Sequence, residues 1–207
     1  MILDVFDHAF IINEDSETGR MVSAKQKLTE VNIMAERIAA VKPKERGSYR
    51  SIGQRGCVES HLKAIKLARY RGYRNVLIFE DDIIFRSGFS YYWDQVTDDV
   101  HSTDYDLFYF YRWREAGRNN GAITVVPIAG TLCAHAYAVN GYFFDQFIRI
   151  VEDSLDSGNG LPIDRVFSSA NARLFALSYN LIGQDAGIST ITGNVKEIRF
   201  EDRFESD

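Results

Sequence analysis

Apolar and polar positions along the chain fall into blocks that predict strands and helices in alternation. The clearest strand is Val76-Leu77-Ile78-Phe79, which runs directly into three acids, Glu80-Asp81-Asp82. A continuous apolar run of this kind is typical of a strand covered on both faces, as in a parallel sheet. Shorter strands are predicted at His8–Asn13, Glu36–Val41, Asp106–Tyr111, Leu132–Val139 and Leu174–Leu181.

Helical spacing of apolar residues is clearest from Cys57 to Tyr70. Gly72 stands where helices commonly end, and the segment Gly47–Gly56 predicts a loop because two glycines lie in its second half. Further helices are predicted at Glu17–Val31, Tyr142–Ser154 and from Pro162 to about Asn171. Because strands and helices alternate without a repeat or linker, we expect an α/β fold in a single domain over residues 1–207, with a frayed acidic tail at 201–207.

The composition is that of an ordinary globular protein. The 207 residues are 45% hydrophobic and 26% charged, which is enough apolar material for a full core. A net charge of -5 and a pI near 5.4 argue against a nucleic-acid partner, because phosphate backbones need a basic surface. Cys57 and Cys133 lie far apart and match no metal-ligand spacing, so two reduced, buried thiols are expected, with a disulfide as the alternative.

Targeting signals are not evident in the sequence. Residues Met1–Asp7 carry two acids and no apolar run, unlike a signal peptide, and no stretch approaches the roughly 20 apolar residues of a membrane span. We therefore expect a soluble protein of a reducing compartment, the cytoplasm.

The three acids after the apolar strand are the main candidate for chemistry. Adjacent carboxylates repel one another unless a cation neutralises them, and hard oxygen ligands favour Mn²⁺ or Mg²⁺. Since side chains alternate along a strand, Glu80 and Asp82 should face a ligand together while Asp81 braces a loop or a backbone amide. The acids alone also fit a phosphatase, a nucleotidyltransferase, a metal-dependent hydrolase or a solvated end of a strand.

A longer pattern resembles glycosyltransferase family 25, the family of lipopolysaccharide-type and collagen galactosyltransferases. Its pattern is a glycine, two residues, Gly-Cys, two residues and Ser-His, then a helix and an apolar strand ending in Glu-Asp-Asp. Residues Gly53–Lys63 and Val76–Asp82 contain every element in this order. The resemblance extends over about Phe10 to Ile191, although Glu14 stands where the family usually has leucine. The other matching segments are Ile11-Ile12-Asn13 with Arg20, Ala136–Val139 with Gly141, Pro162-Ile163-Asp164, Gln184 and Ser189.

The resemblance implies an inverting, metal-dependent glycosyltransferase of the GT-A type. The donor would be a UDP-sugar, carrying galactose or glucose, and the acceptor a glycan or a lipid-linked or protein-linked glycoconjugate. Glu80-Asp81-Asp82 would be the DxD-type motif, in which Asp82 binds the Mn²⁺ or Mg²⁺ ion and Glu80 reaches the ion, its waters or the ribose. The donor-binding residues implied by the match are Ile12, Asn13, Arg20, Ser60, His61, Glu80, Asp81 and Asp82.

An inverting transfer also needs a base for the acceptor hydroxyl. Asp164 is the first choice and Asp185 the second, although Asp164 could instead be an ordinary acid at a helix N-terminus. Trp113 and Gln184 are the predicted acceptor contacts. Trp113 or Tyr111 could stack on a sugar, although the aromatic residues of this segment are expected to lie mostly in the core. Ser60 and His61 could contact the donor or could pin the loop Gly53–Gly56 by hydrogen bonds.

Two other functions fit the same residues. One is a metal-dependent nucleotide-sugar hydrolase or phosphoryl-transfer enzyme, and the other is a nucleotide-sugar-binding protein without turnover. A lipid-linked acceptor would also be compatible with peripheral association at the inner face of a membrane.

Overall fold

The computed structural model describes residues 4–112, 122–185, 187–188 and 195–196, the last two pairs by their backbone only. In chain order the elements are β1 (His8–Asn13), α1 (Thr18–Glu30), β2 (Glu36–Ala39), α2 (Ile52–Tyr70), β3 (Asn75–Glu80), β4 (Ile83–Phe85), α3 (Phe89–Ser102), β5 (Leu107–Tyr109), β6 (Val125–Pro127), β7 (Ala136–Asn140), a 3-10 turn (Gly141–Phe143), α4 (Phe144–Asp156), α5 (Ile163–Ser169), β8 (Leu174–Leu177), β9 (Ile182–Gln184), β10 (Gly187–Ile188) and β11 (Val195–Lys196).

A seven-stranded sheet in the order β2-β1-β3-β7-β5-β8-β6 forms the centre of the fold. Strands β2, β1, β3, β5 and β8 run in one direction, and β7 and β6 run against them. Strand β4 pairs with β9, and β10 with β11, outside this sheet. The predicted α/β fold with a mostly parallel central sheet in a single domain is confirmed.

Strand β3 divides the core into two layers. Val76 and Ile78 pack on one face of the sheet with residues of α2, α4 and α5, whereas Leu77 and Phe79 pack on the other with residues of α1 and α3. All four side chains are fully buried. The apolar run therefore reflects burial on both faces of the sheet. Of the two strands beside β3, β1 is parallel to it and β7 is antiparallel.

Helix α2 begins earlier than the sequence predicts. It starts at Ile52, so the prediction of a loop through Gly56 is wrong in its second half. The Ser51 hydroxyl accepts a hydrogen bond from the Gln54 backbone N–H at 3.0 Å, which caps the helix N-terminus. At the other end Gly72 has φ +71°, the left-handed conformation that commonly follows a helix.

Gly56 lies inside α2 because the backbone of the loop after β2 passes directly over it. A Cβ atom here would lie 2.5 Å from the Val41 carbonyl oxygen. We expect Gly56→Ala to lower the free energy of unfolding by about 1–3 kcal/mol, the usual effect of overpacking. Gly19→Ala in α1 is the matched control, since no atom lies within 4 Å of its added Cβ, and it should raise stability by about 0.5–1 kcal/mol. Urea unfolding of both variants tests this, and an unchanged Gly56→Ala would contradict the close approach.

Several strands end earlier than the sequence predicts, because pairing with distant strands determines where the chain leaves the sheet. The predicted strand Leu174–Leu181 ends at Leu177, after which the chain leaves the central sheet and β9 pairs with β4. Strands β2, β5 and β7 are likewise shorter than their apolar runs. Helix α3 was not predicted, although its buried residues have helical spacing: Phe89, Trp93, Val96 and Val100.

The helices of the described residues are mostly short. Helix α2, the longest of them, has 19 residues with polar side chains on one side. None is long and apolar enough to cross a membrane.

Cys57 and Cys133 are not joined by a disulfide, which makes the disulfide alternative wrong. Cys133 is buried, whereas Cys57 is half-buried and lines a cavity. Ser189 and the acidic tail 201–207 lie outside the described residues.

Candidate active site

A cavity of about 370 Å³ opens at the carboxyl ends of β1, β2 and β3. These three strands are adjacent and parallel, so the residues that follow them meet at one edge of the sheet, the usual place for ligands in α/β folds. The N-terminal half of α2 closes the other side. The lining residues are Ile12, Asn13, Glu14, Glu17, Arg20, Ala40, Val41, Lys42, Pro43, Ile52, Gly53, Gly56, Cys57, Ser60, His61, Glu80, Asp81 and Asp82.

Asp81 is buried and faces this cavity. Its carboxylate accepts a hydrogen bond from Asn13 Nδ2 at 2.6 Å and pairs with the Arg20 guanidinium. Burial raises the pKa of Asp81, and the Asn13 hydrogen bond and the Arg20 charge oppose that rise. The expectation that Asp81 points away from its neighbours to brace a loop or backbone amide is wrong. Strand β3 ends at Glu80, so the alternation of side chains does not continue into the turn.

Asp82 is held by side chains from two other elements. Gln184 Nε2, on β9, lies 3.2 and 3.1 Å from its two carboxylate oxygens, and Arg20 Nη2 lies 3.2 Å from Oδ2. The Asp185 backbone N–H donates to the Asp82 carbonyl oxygen at 2.6 Å. Gln184, predicted as an acceptor contact, therefore orients the carboxylate of Asp82 in this structure.

Arg20 connects the two aspartates to the segment after β1. Its side chain is 25% exposed, and its guanidinium contacts both Asp81 and Asp82. Asn13 ends β1 and also donates to the Glu17 carbonyl oxygen at 3.1 Å, just before α1 begins. The spacing of seven residues between Asn13 and Arg20 thus brings both side chains to the same carboxylate.

Unlike Asp81 and Asp82, which contact Arg20, Glu80 faces helix α2. His61 Nε2 lies 3.5 Å from Glu80 Oε1, and His61 Nδ1 makes a 2.8 Å hydrogen bond with the Tyr137 hydroxyl. One ligand atom from each of Cys57, His61 and Glu80 lies within 4.8 Å of the other two. Sequence reasoning missed Cys57 in this group. The available signal was the spacing Cys-x-x-x-His, which places both residues on one face of a helix.

The Ser60 hydroxyl makes two hydrogen bonds with the protein backbone. Its hydroxyl donates to the Gly56 carbonyl oxygen at 2.5 Å and accepts from the Val41 backbone N–H at 2.8 Å. Ser60 therefore pins the loop after β2 against α2, and the segment Gly53–Gly56 that it was expected to pin is helical.

The predicted bases lie in different surroundings. Asp164, in the first turn of α5, accepts a hydrogen bond from the Arg165 backbone N–H at 2.8 Å. Burial raises the pKa of Asp164, and the negative charge of Glu80 raises it further. Asp185 instead pairs with Lys27 Nζ at 2.6 Å, and its side chain is 49% exposed. Trp113, the other predicted acceptor contact, lies outside the described residues.

The charge of the cavity favours a bound cation. Its described lining carries five acids, Glu14, Glu17, Glu80, Asp81 and Asp82, against the cations Arg20 and Lys42. Lys42 is already paired with Glu14 at 3.0 Å. An anionic diphosphate would therefore meet a surplus of negative charge, most of which a divalent cation would offset. The carboxylates of Glu80 and Asp82 are the hard oxygen donors that fit Mn²⁺ or Mg²⁺.

Solved structures include chains that are similar to this one. A197 from STIV has 14% sequence identity and a TM-score of 0.50, with 86% of this chain and 85% of that chain covered. A glycosyltransferase involved in the glycosylation of the major capsid of PBCV-1 has 11% identity and a TM-score of 0.39, over 70% of this chain and 65% of that chain. No curated protein matches the sequence significantly.

A family model provides the assignment. The model of glycosyltransferase family 25 (LPS biosynthesis protein) matches residues 6–137, which is more than half of the chain. The match includes β1, α2 and β3, the elements that build the cavity. The chain therefore belongs to glycosyltransferase family 25.

Proposed function

We propose that this glycosyltransferase transfers a hexose, galactose or glucose, from a UDP-sugar to a glycan or glycoconjugate acceptor with inversion, using Mn²⁺ or Mg²⁺. The observation that carries the proposal is the acid-rich cavity at the carboxyl ends of β1 and β3 in a chain of this family. Its volume of about 370 Å³ lies in the range of small-molecule sites. A single α/β domain with this site is the arrangement expected of a GT-A transferase.

The divalent cation would be held by Asp82 and Glu80. When bound, it would neutralise the diphosphate and stabilise the negative charge that develops on the leaving UDP. Gln184 and Arg20 keep the Asp82 carboxylate in one orientation, since they contact both of its oxygens. We therefore assign Gln184 a positioning role in place of the predicted acceptor contact.

The nucleotide would lie along the end of β1 and the start of α2. Ile12 would offer the nucleotide an apolar side chain in the wall of the cavity. Asn13 and Arg20 hold the Asp81 carboxylate in the same wall. Lys42, on the loop after β2, is an exposed cation within reach of a phosphate or ribose.

Asp164 would accept the proton of the acceptor hydroxyl. Its raised pKa suits a base better than that of an ordinary exposed carboxylate, because a more basic carboxylate takes a proton more readily. The negative charge of Glu80 contributes to the raised pKa of Asp164. Asp185 is less suited because Lys27 neutralises it. Trp113 remains a predicted acceptor contact.

A calorimetric titration of UDP tests the donor site. We expect UDP to bind in the presence of Mn²⁺ and to bind at least about tenfold more weakly, or about 1.4 kcal/mol, with EDTA or in Asp82→Asn. Asp98→Asn, at an exposed position of α3, is the matched control and should bind as the wild type does.

Equal binding with Mn²⁺ and with EDTA would contradict the metal site. Absence of binding by UDP would redirect the titration to other nucleoside diphosphates. Product analysis with UDP-galactose and UDP-glucose then separates transfer to an acceptor from hydrolysis, which would indicate a nucleotide-sugar hydrolase. Binding without either product would indicate a nucleotide-sugar-binding protein.

A further inference from the structure

Three residues in the wall of the cavity form a group that the proposed transfer reaction does not use together. Cys57 and His61 lie one turn apart on α2, and Glu80 ends the facing strand β3. One ligand atom from each lies within 4.8 Å of the others, and all three residues line the cavity. The separation of 3.5 Å between His61 Nε2 and Glu80 Oε1 is close to that of two ligands on one tetrahedral ion, given metal–ligand bonds of about 2.0–2.1 Å.

His61 supplies an independent observation that points to a ligand. Its side chain is 1% exposed, and among the described residues its Nε2 atom has no hydrogen-bond partner. A buried polar atom without a partner is rare, and an unoccupied ligand position is one of its explanations. The other ring nitrogen, Nδ1, is engaged by the Tyr137 hydroxyl at 2.8 Å.

The contact with Tyr137 resembles the support that metal-binding histidines usually have. The Tyr137 hydroxyl oxygen lies 2.8 Å from Nδ1 and can accept a hydrogen bond from Nδ1–H. A proton on Nδ1 leaves the lone pair on Nε2, the form in which imidazole binds a metal.

We propose that Cys57, His61 and Glu80 bind a divalent transition-metal ion of the zinc class, with an open coordination position toward the cavity. A thiolate and an imidazole are softer ligands than the oxygens that Mn²⁺ or Mg²⁺ prefers, so the set favours Zn²⁺ or Co²⁺. One thiolate, one carboxylate and one neutral imidazole balance the two positive charges of the ion. Three protein ligands with an open position are typical of zinc sites that bind water or a substrate oxygen.

A catalytic triad fits the same residues less well. In a Cys-His-acid triad one ring nitrogen contacts the thiol and the other contacts the acid. Here Nδ1 contacts the Tyr137 hydroxyl, so Nε2 is the single ring nitrogen available to Cys57 and Glu80, and the ring cannot bridge a thiol and an acid.

The proposed zinc-class site is distinct from the Asp82 cation site. Asp82 is held by Gln184 and Arg20, whereas the zinc-class ligands lie on the α2 side of Glu80. Glu80 has two carboxylate oxygens and could serve both ions. The inference does not depend on the transfer reaction, because metal binding can be measured without donor or acceptor.

Cobalt spectroscopy on the full chain tests the proposal. After removal of metals with a chelator, Co²⁺ should bind at one ion per chain and give a near-ultraviolet thiolate-to-cobalt charge-transfer band. Zn²⁺ should displace the Co²⁺ at equimolar concentration, whereas Mn²⁺ should not. Absence of the band in the wild type, or displacement by equimolar Mn²⁺, would overturn the proposal.

Variants identify the ligands. Cys57→Ser should abolish the band, and His61→Gln should weaken Co²⁺ binding at least tenfold. Cys133→Ser is the matched control and should keep the band, as should Asp82→Asn, which is expected to lose only Mn²⁺-dependent UDP binding. Circular dichroism verifies that each variant is folded, and a Zn²⁺-induced rise in Tm of the wild type and of Cys133→Ser gives a second measurement. A band that survives Cys57→Ser, or is lost in folded Cys133→Ser or Asp82→Asn, would contradict the ligand set.

Discussion

Asp164→Asn is expected to lower kcat by about 10²–10⁴-fold, the usual contribution of a general base, while leaving the Kd of UDP within about twofold. Asparagine keeps the size of the side chain and its ability to accept from the Arg165 backbone N–H, but it cannot take a proton from an acceptor hydroxyl. The substitution should therefore lower kcat and leave UDP binding nearly unchanged. Initial rates of transfer from UDP-galactose or UDP-glucose, with calorimetry for UDP, measure the two quantities separately.

The pH dependence of the wild type follows from the same carboxyl group. Burial, and then the charge of Glu80, raise the pKa of Asp164 above its ordinary 3.8. Because the base works in its ionised form, kcat/KM should fall as the pH drops through this raised pKa. The acid limb of the profile should thus lie at a higher pH than an exposed aspartate would give, and it should disappear from the residual rate of Asp164→Asn.

Two matched variants make the result specific. Asp156→Asn, at an exposed position at the end of α4, should have wild-type rates. Asp185→Asn removes the partner of Lys27 and tests the second predicted base. A large loss of kcat in Asp185→Asn, together with a near-normal Asp164→Asn, would assign the proton transfer to Asp185.

The sequence predicts the site best where one strand and one helix determine it. The apolar run Val76–Phe79 predicts a strand that is buried on both faces. Because Glu80 follows this run directly, it lies at the carboxyl end of the strand. The resemblance to the family also includes Asn13 and Arg20, and both side chains contact the Asp81 carboxylate in the structure. These residues lie close to their elements' ends, so their position follows from the fold alone.

Contacts that depend on the path of a turn or on distant pairing could not be predicted. Asp81 joins the cavity because the chain turns after Glu80, and the apolar pattern predicts the end of the strand but not the direction of the next side chain. Gln184 reaches Asp82 only because the chain leaves the central sheet after Leu177 and β9 pairs with β4. Such pairing brings together Asp82 and Gln184, which are 102 positions apart, and a single sequence contains no local signal for it.

Helix α2 gives the clearest example of a close approach that overrides a local rule. Gly53 and Gly56 suggest a loop because glycine is a poor helix former. The structure shows that Gly56 permits contact with the Val41 carbonyl oxygen inside a helix capped by Ser51. This earlier start adds a turn before Cys57 and carries the glycines into the wall of the cavity.

Arg20→Met is expected to lower the free energy of unfolding at pH 7 by roughly 3 kcal/mol, since removing one partner of a buried ion pair leaves an uncompensated charge. The Asp81 and Asp82 side chains are only 9% and 10% exposed, so water replaces the guanidinium poorly. Methionine retains most of the apolar stem of the arginine, so the loss reports mainly on charge. Urea unfolding at pH 7 measures the effect.

The deficit of Arg20→Met should shrink as the pH falls. Burial already raises the pKa of Asp81 above its unfolded value, and Arg20 opposes that rise, so removing Arg20 raises the pKa further. A group with a raised native pKa loses stability as the pH rises through that pKa, and regains it on protonation. The variant should therefore approach the wild type between pH 7 and pH 4. Arg69→Met, which breaks an ion pair with the exposed Asp145, is the control and should change stability little at any pH. A deficit of Arg20→Met that is independent of pH would show that Arg20 stabilises the fold through packing and not through its charge on the buried aspartates.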